Sequence, residues 1–411
     1  MTESSKAYTF GRYFLAGGVV IFAIGQSLLF IVVAPLARSI GLTEVQFGIT
    51  FSLANISLIL AGPYWGRRSD VIGRKPVFII GLFGSSIGIL LMAYTLNLGM
   101  QGALATGGLM AMIFASRALY GLTASSIYPS AAGYIADVTA WHERAKGMAL
   151  IGSANSLGSI VGPAIGGALT FMGVLYPMYA AATISMLGGI ATIIWLMEPE
   201  QHAQRKASGD KDKPKIKFTD KRLRPYMIMW VNIFLFFISL NFVTAFYIQD
   251  QFGITDMARV MRTASVLLVC MAAVITLIQG VLFQFIKISP FVLLRLTAPF
   301  FGAGLFTMAF APNIVVLGLG FAILGGAFAC ATPGINGSAS LAVEPHEQGT
   351  AAGYLSASNT SGAIMGPLVG PLLYYYVQPN APFLIGGTVM AILSIYALTI
   401  PAPQQRKTAS A

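Results

Sequence analysis

Apolar stretches about 20 residues long, separated by short polar turns, recur along almost the whole of this 411-residue chain. That is the length a helix needs to cross roughly 30 Å of hydrocarbon. Lipid offers backbone N–H and C=O groups no water to bond with, so a spanning segment must be a helix or part of a closed barrel. Barrel strands would show segments of roughly ten residues with alternating polarity. These runs do not alternate and are rich in Gly, Ala and Leu. Charged residues make up only 9%, against about 25% in an ordinary soluble domain, too few to cover a water-facing surface. The expectation is an all-α membrane protein of about twelve transmembrane helices.

Spans are expected at 13–37, 46–66, 76–96, 108–132, 146–170 and 176–197, and again at 225–247, 260–283, 289–311, 314–340, 350–374 and 382–400. The first run is longer than the apolar part of a signal peptide and is read as a span. Basic residues fall mainly on one side of this topology. Lys6, Arg12, Arg67, Arg68, Arg74, Lys75, Arg144, Lys146, Lys287, Arg406 and Lys407 share that side with a linker, 198–224, that holds nine Lys and Arg residues. The opposite side receives Arg38, Arg259 and Arg262. The excess of positive charge predicts that both termini and the linker are cytoplasmic. It also accounts for the formal net charge of +11 without nucleic acid as a partner. Cys270 and Cys330 fall inside expected spans, where small apolar packing is the natural role and no structural disulfide is expected.

One constant offset relates the two halves. His142-Glu143 and His346-Glu347 stand 204 residues apart, and the same offset pairs Asn155 with Asn359, Gly158 with Gly362, and Gly162-Pro163 with Gly366-Pro367. Gly166 meets Gly370, and upstream Gly121 meets Gly325, Pro129 meets Pro333 and Gly133 meets Gly337. The chain therefore reads as a duplicated bundle: residues 1–197 and 225–411 as two pseudo-symmetric six-helix bundles, joined by the basic cytoplasmic linker 198–224. Duplicated membrane halves of this kind place a substrate near the bilayer midplane. Gly158, Gly162 and Gly166 lie on one helix face, as do Gly362, Gly366 and Gly370. Such faces let helices approach closely. Pro163 and Pro367 remove a backbone donor and permit a bend. The reading is a pair of helices that pack tightly and flex; a static packing face is the alternative.

The segment Gly62-Pro-Tyr-Trp-Gly66-Arg-Arg-Ser-Asp70-Val-Ile-Gly73-Arg74-Lys75 resembles the loop signature of the major facilitator superfamily. Arg117-Ala-Leu-Tyr120-Gly121 resembles its second signature, and Gly158 through Gly162-Pro163 to Gly166-Gly167 resembles the antiporter motif of drug and metabolite exporters. The run from Tyr134-Ile-Ala-Asp137 to His142-Glu-Arg-Ala-Lys-Gly147 is similar to the tetracycline-exporter branch. The resemblance implies two six-helix bundles working by alternating access. It implies a cytoplasmic gating set of Asp70, Gly73, Arg74 and Asp137, with Gly158, Gly162, Pro163, Gly166, Gly366 and Pro367 as the flexing face. The chain departs from that branch in having Ala149 where the motif has a further Gly. It also has Ala23 and Gly88 where tetracycline exporters carry aspartates within spans. None of the 14 acidic residues lies mid-span, and Asp137 and Asp250 come closest.

A charged residue inside a span is a functional candidate by default, and Arg117 is one. It reads either as a site for an anionic substrate group or for proton movement, or as a structural clamp satisfied by Gln26 and backbone carbonyls. The polar residues expected to line the substrate pathway are Gln26, Arg117, Tyr120, Asn155, Asn232, Asn241, Asn336 and Asn359. An apolar pathway with a few amides and one Arg suits an amphipathic organic molecule, neutral or anionic. The expected function is secondary active export of a drug-like compound or metabolite across the inner membrane, by a chain acting as a monomer. Protons are the candidate coupling ion. Uptake of a small organic solute such as a siderophore or organic acid is the alternative. An enzyme would want clustered His, Asp or Glu within the spans, and His142, His202 and His346 all fall outside them. No cofactor or metal is expected.

Overall fold

The computed structural model of the protein describes residues 3–139, 144–198, 217–286, 288–344 and 347–401. His142, Glu143, His346, Lys287, Arg406, Lys407 and the stretch 199–216 of the linker, with His202, lie outside the described residues.

Every regular element among the described residues is helical. The first expected spans become α1 (Glu3–Ser39), α2 (Glu44–Ile72) and α3 (Arg74–Met100). The fourth is divided into α4 (Thr106–Ala124) and α5 (Ile127–Val138), and α6 (Arg144–Leu169) and α7 (Tyr176–Trp195) follow. After the linker come α8 (Arg224–Phe252) and α9 (Met257–Leu277), the latter running through a π-helical turn (Ile278–Leu282) into α10 (Phe283–Phe285). Next are α11 (Pro290–Ala309) and α12 (Ile314–Ala331), with a second π-helical turn (Thr332–Asn336) leading into α13 (Gly337–Ala342). The last two are α14 (Gln348–Tyr376) and α15 (Ala381–Thr399).

Among the described residues nine helices are long and apolar enough to cross a membrane. The other three expected spans, the divided α4–α5 pair, α6 and α14, are not among them. Two interruptions share a cause. Pro129 and Pro333 each lack the N–H that would bond the carbonyl four residues earlier. The chain breaks at Ser125–Ser126 in one case and widens into a π-helical turn in the other. Leu187, Ile193 and Ile194 of α7 and Ile392, Ile395 and Leu398 of α15 are exposed. Such a surface would aggregate in water and is favourable against lipid tails.

The helices form two compact units: Met1–Gly209 with Thr244–Val269, and Asp210–Val243 with Cys270–Ala411. In the first unit α6 lies on α1, with the Gly158 Cα facing the backbone of Val20 and Ile24. In the second unit α14 lies on α8 in the same way, with Gly362 facing Val231 and Leu235. Gly158 and Gly362 are 204 residues apart; Val20 and Val231, like Ile24 and Leu235, are 211 apart. A second pair of contacts repeats likewise. Gly121 of α4 meets Ala54 and Leu58 of α2, and Gly325 of α12 meets Met271 and Val274 of α9. The duplication seen as matching letters is thus also a duplication of helix contacts.

The first unit also holds the last turns of α8 and the first half of α9. Arg38 at the end of α1 forms a bidentate pair with Asp250 of α8, at 2.6 and 2.8 Å, and a third bond from Nε to Glu44 at 2.6 Å. Arg262 of α9 stands 4.4 Å from the Phe171 ring, and Gly167 faces Ser265.

Candidate functional site

The α2–α3 loop is built around one guanidinium. Gly73 ends α2 and precedes α3 with φ of 107°, a conformation that favours glycine and turns the chain sharply enough to bring Arg74 back under α2. Arg74 Nε donates to Asp137 of α5 at 2.9 Å, Nη1 to Ser69 Oγ at 2.6 Å, and Nη2 pairs with Asp70 at 2.6 Å. A Cβ on Gly133 would fall on that guanidinium, so the absence of a side chain there is what admits Arg74. The Glu198 carboxylate accepts from the backbone N–H groups of Arg74 at 2.6 Å and Lys75 at 2.8 Å. A carboxylate is well placed there, where the helix N-terminus presents unpaired donors and partial positive charge. Asp70, Gly73, Arg74 and Asp137 are therefore brought together, and Glu198 joins them. Nothing in the sequence marks Glu198 out, since an acid at the start of a basic linker reads as solvated.

Across the first unit, the expected pathway residues separate. Arg117 and Tyr120 lie one turn apart on α4 and are both buried. The guanidinium carbon stands 4.8 Å from the ring centroids of Phe51 and of Tyr120, and Tyr120 stacks on Phe22 at 6.2 Å. Gln26 is half-buried and makes no hydrogen bond to Arg117, so the clamp suggested by the sequence does not form. Asn155 of α6 accepts from the Tyr128 hydroxyl, and Tyr128 meets Phe22 edge-on at 5.7 Å. Gly158, Gly162, Pro163 and Gly166 are all buried along α6, the first two against α1.

In the second unit a cavity of about 470 Å³ opens among α8, the α12–α13 junction and α14. Asn336 and Asn359 line it with Trp230, Ser340, Gln348 and Ser356. Trp230 Nε1 donates to Asn336 Oδ1 at 3.0 Å, and Trp230 meets Phe234 at 5.4 Å. Asn336 sits at the end of the π-helical turn that Pro333 opens. Asn232 and Asn241 instead donate to their own helix, to Ile228 and Phe237 at 2.9 and 2.7 Å. Asn232 also lines a second, more apolar cavity of about 430 Å³ with Phe218, Met227 and Ser358. Gly366 and Pro367 are buried along α14, Gly366 against Leu235 and Ile238.

Trp230 is absent from the sequence-based set because an apolar span gives a tryptophan no outward sign of a role. The Glu347 half of the repeated His-Glu motif does acquire one: it takes a bidentate pair from Arg222 at 2.9 and 3.0 Å. Hydrogen bonds from Arg222 also hold the Asp220 carboxyl below the usual carboxylate range.

The model of the Major Facilitator Superfamily matches residues 15–353 and 293–411. Multidrug resistance protein 2 of Bacillus subtilis (strain 168) is 26% identical over 386 residues, 92% of each chain. Multidrug resistance protein 1 of the same organism is 26% identical over 401 residues, 96% of this chain and 97% of its own. Among solved structures, the nucleoside transporter NupG superposes with a TM-score of 0.71 at 15% identity, covering 95% of this chain and 98% of NupG.

Proposed function

The chain belongs to the major facilitator superfamily, a family of multi-pass membrane transporters rather than enzymes, and we propose that it exports an amphipathic organic compound from the cell by alternating access. The observation that carries this reading is the cavity of about 470 Å³ in the second unit. An indole face, amides and hydroxyls line it, with no charged side chain among those residues. Such a lining accepts many planar, weakly polar molecules, because aromatic surface supplies affinity and a few amides supply orientation. The full-length likeness to two multidrug resistance proteins supports the same substrate class.

In this proposal the protein lies in the inner membrane as a monomer, with both termini and the 198–224 linker cytoplasmic, and residues 1–197 and 225–411 act as the two halves. Asp70, Gly73, Arg74 and Asp137 latch the cytoplasmic side. The Gly158–Gly162–Pro163–Gly166 and Gly366–Pro367 faces let α6 and α14 adjust as access alternates. Protons are the proposed coupling ion, with Asp137 as the proposed coupling carboxylate. Gln26, Asn155, Asn232, Asn241, Asn336 and Asn359 are proposed substrate contacts.

The test is flux of a panel of dyes and antibiotics into inverted membrane vesicles, with and without a proton gradient. Accumulation that collapses with the gradient is the expected result. No accumulation in vesicles, together with uptake of a panel member by intact cells, would replace export with import.

A further inference from the structure

Arg295 is a cation on a face that meets lipid, and the protein gives it no counter-charge. It lies in the second turn of α11, within a span, and belongs to neither the gate nor the proposed pathway. Val292 and Leu296, which share its side of α11, are exposed, as are Ile395 and Leu398 on the neighbouring α15. Arg295 is half-buried among these apolar side chains. Its Nη2 donates to the Leu398 carbonyl at 3.4 Å, longer than an ordinary N–H···O bond, and its guanidinium stands 4.4 Å from the Phe291 ring. Its Nε is buried and reaches no acceptor among the described residues. Acids are scarce throughout this part of the chain. From Met257 to Ala411 the only ones are Glu344 and Glu347, and Glu347 is engaged by Arg222. A long side chain near a helix end can carry its charge out to water, but here one edge of the guanidinium is turned away from it. An ionised group held within a span without a partner is costly.

We infer that the groove between α11 and α15 binds the phosphate of an anionic phospholipid. The fork of guanidinium N–H groups matches phosphate oxygens, which supply the missing charge. The acyl chains lie along Val292, Leu296, Ile395 and Leu398. Arg295 is near the start of α11 and Leu398 is in the last turn of α15, so the site stands close to the span ends, at the level of headgroups. Neither α11 nor α15 contains an acid, so a headgroup carrying an ammonium finds no carboxylate there, and a lipid with net negative charge is preferred. Both leaflets carry phosphates, so the site depends neither on the direction of transport nor on which side the termini occupy.

The experiment is thermal unfolding of the purified full-length protein in a neutral detergent, titrated with phosphatidylglycerol, phosphatidylcholine or glycerol phosphate. Phosphatidylglycerol should raise the midpoint of the wild type more than phosphatidylcholine does, and glycerol phosphate should not raise it. Arg295→Gln should abolish the advantage of phosphatidylglycerol. Lys221→Gln, which removes an exposed cation just before α8, should keep it. Equal protection by the two lipids, or an advantage that survives Arg295→Gln, overturns the site. An advantage lost in Lys221→Gln as well would belong to diffuse surface charge, and overturns it too. Glycerol phosphate that protects as well as phosphatidylglycerol would support a phosphate site but overturn its assignment to lipid. Should Arg295→Gln fail to fold, Arg295→Lys decides. That change keeps the charge and loses the fork, and should weaken phosphatidylglycerol about tenfold; unchanged affinity overturns the site.

Discussion

At the scale of single residues, burial decides which of the charges around Arg74 matter for stability. Asp137 is 6% exposed and Asp70 60%, although each lies within 3 Å of the same guanidinium. Removing a buried partner leaves a charge poorly compensated, so Asp137→Asn should cost about 3 kcal/mol. Asp70→Asn should cost about 0.5 kcal/mol, as exposed pairs do. Glu198→Gln, at the start of α3, should fall between them at about 1 kcal/mol. Unfolding in detergent checks the order, and a larger loss for Asp70→Asn than for Asp137→Asn would refute it. The same Asp70→Asn variant tests the latch: lower flux at nearly unchanged stability supports gating, and full flux removes Asp70 from the gate. The Arg74–Asp137 contact, between residues 63 apart, was suggested by the sequence because the expected topology puts both at the same-side ends of neighbouring spans. The contact of Trp230 with Asn336 was not, because its partners are 106 residues apart and nothing in an apolar run marks which side chains will meet.

At the scale of helices, hydropathy shows where spans lie but not where they break. Pro129 and Pro333 stand in the sequence only as a matched pair of the repeat; whether the chain would split or widen there depended on the helices around it. Glycine patterns were more informative, because close approach needs particular residues at particular intervals. α14 contains its own control. A Cβ on Gly366 would sit 2.6 Å from the Cβ of Ile238, whereas one on Gly353 would meet nothing within 4 Å. Gly366→Ala should therefore destabilise by about 1–3 kcal/mol. Gly353→Ala should stabilise by up to about 1 kcal/mol, by removing the entropic penalty of glycine within a helix. Opposite shifts in the unfolding midpoint are the expected result; shifts of the same sign would mean that the helix contact is not as tight as described.

At the scale of the whole molecule, the offset of 204 residues foretold a duplication, and the repeated contacts of α6 on α1 and of α14 on α8 give it physical form. The letters did not foretell the bond of Arg38 with Asp250, since isolated charges at helix ends read as ordinary loop residues. That bond supplies a test of alternating access. With Cys270→Ser and Cys330→Ser as background, Arg38→Cys and Asp250→Cys joined by a short bis-maleimide should hold the ends of α1 and α8 together. Flux should fall severalfold, while each single cysteine treated alike retains its activity. Undiminished flux in the joined protein would mean that these ends do not part during transport.

The glycine contacts also bear on heredity. Every missense change at Gly158, Gly162, Gly362 or Gly366 adds at least a Cβ, and at each of them that atom would meet a neighbouring helix closer than 3 Å. No amino acid offers a milder replacement, so the two duplicated copies are held to the same letter at these places by separate and equal constraint. A duplication followed by drift would therefore leave these letters matched in both halves.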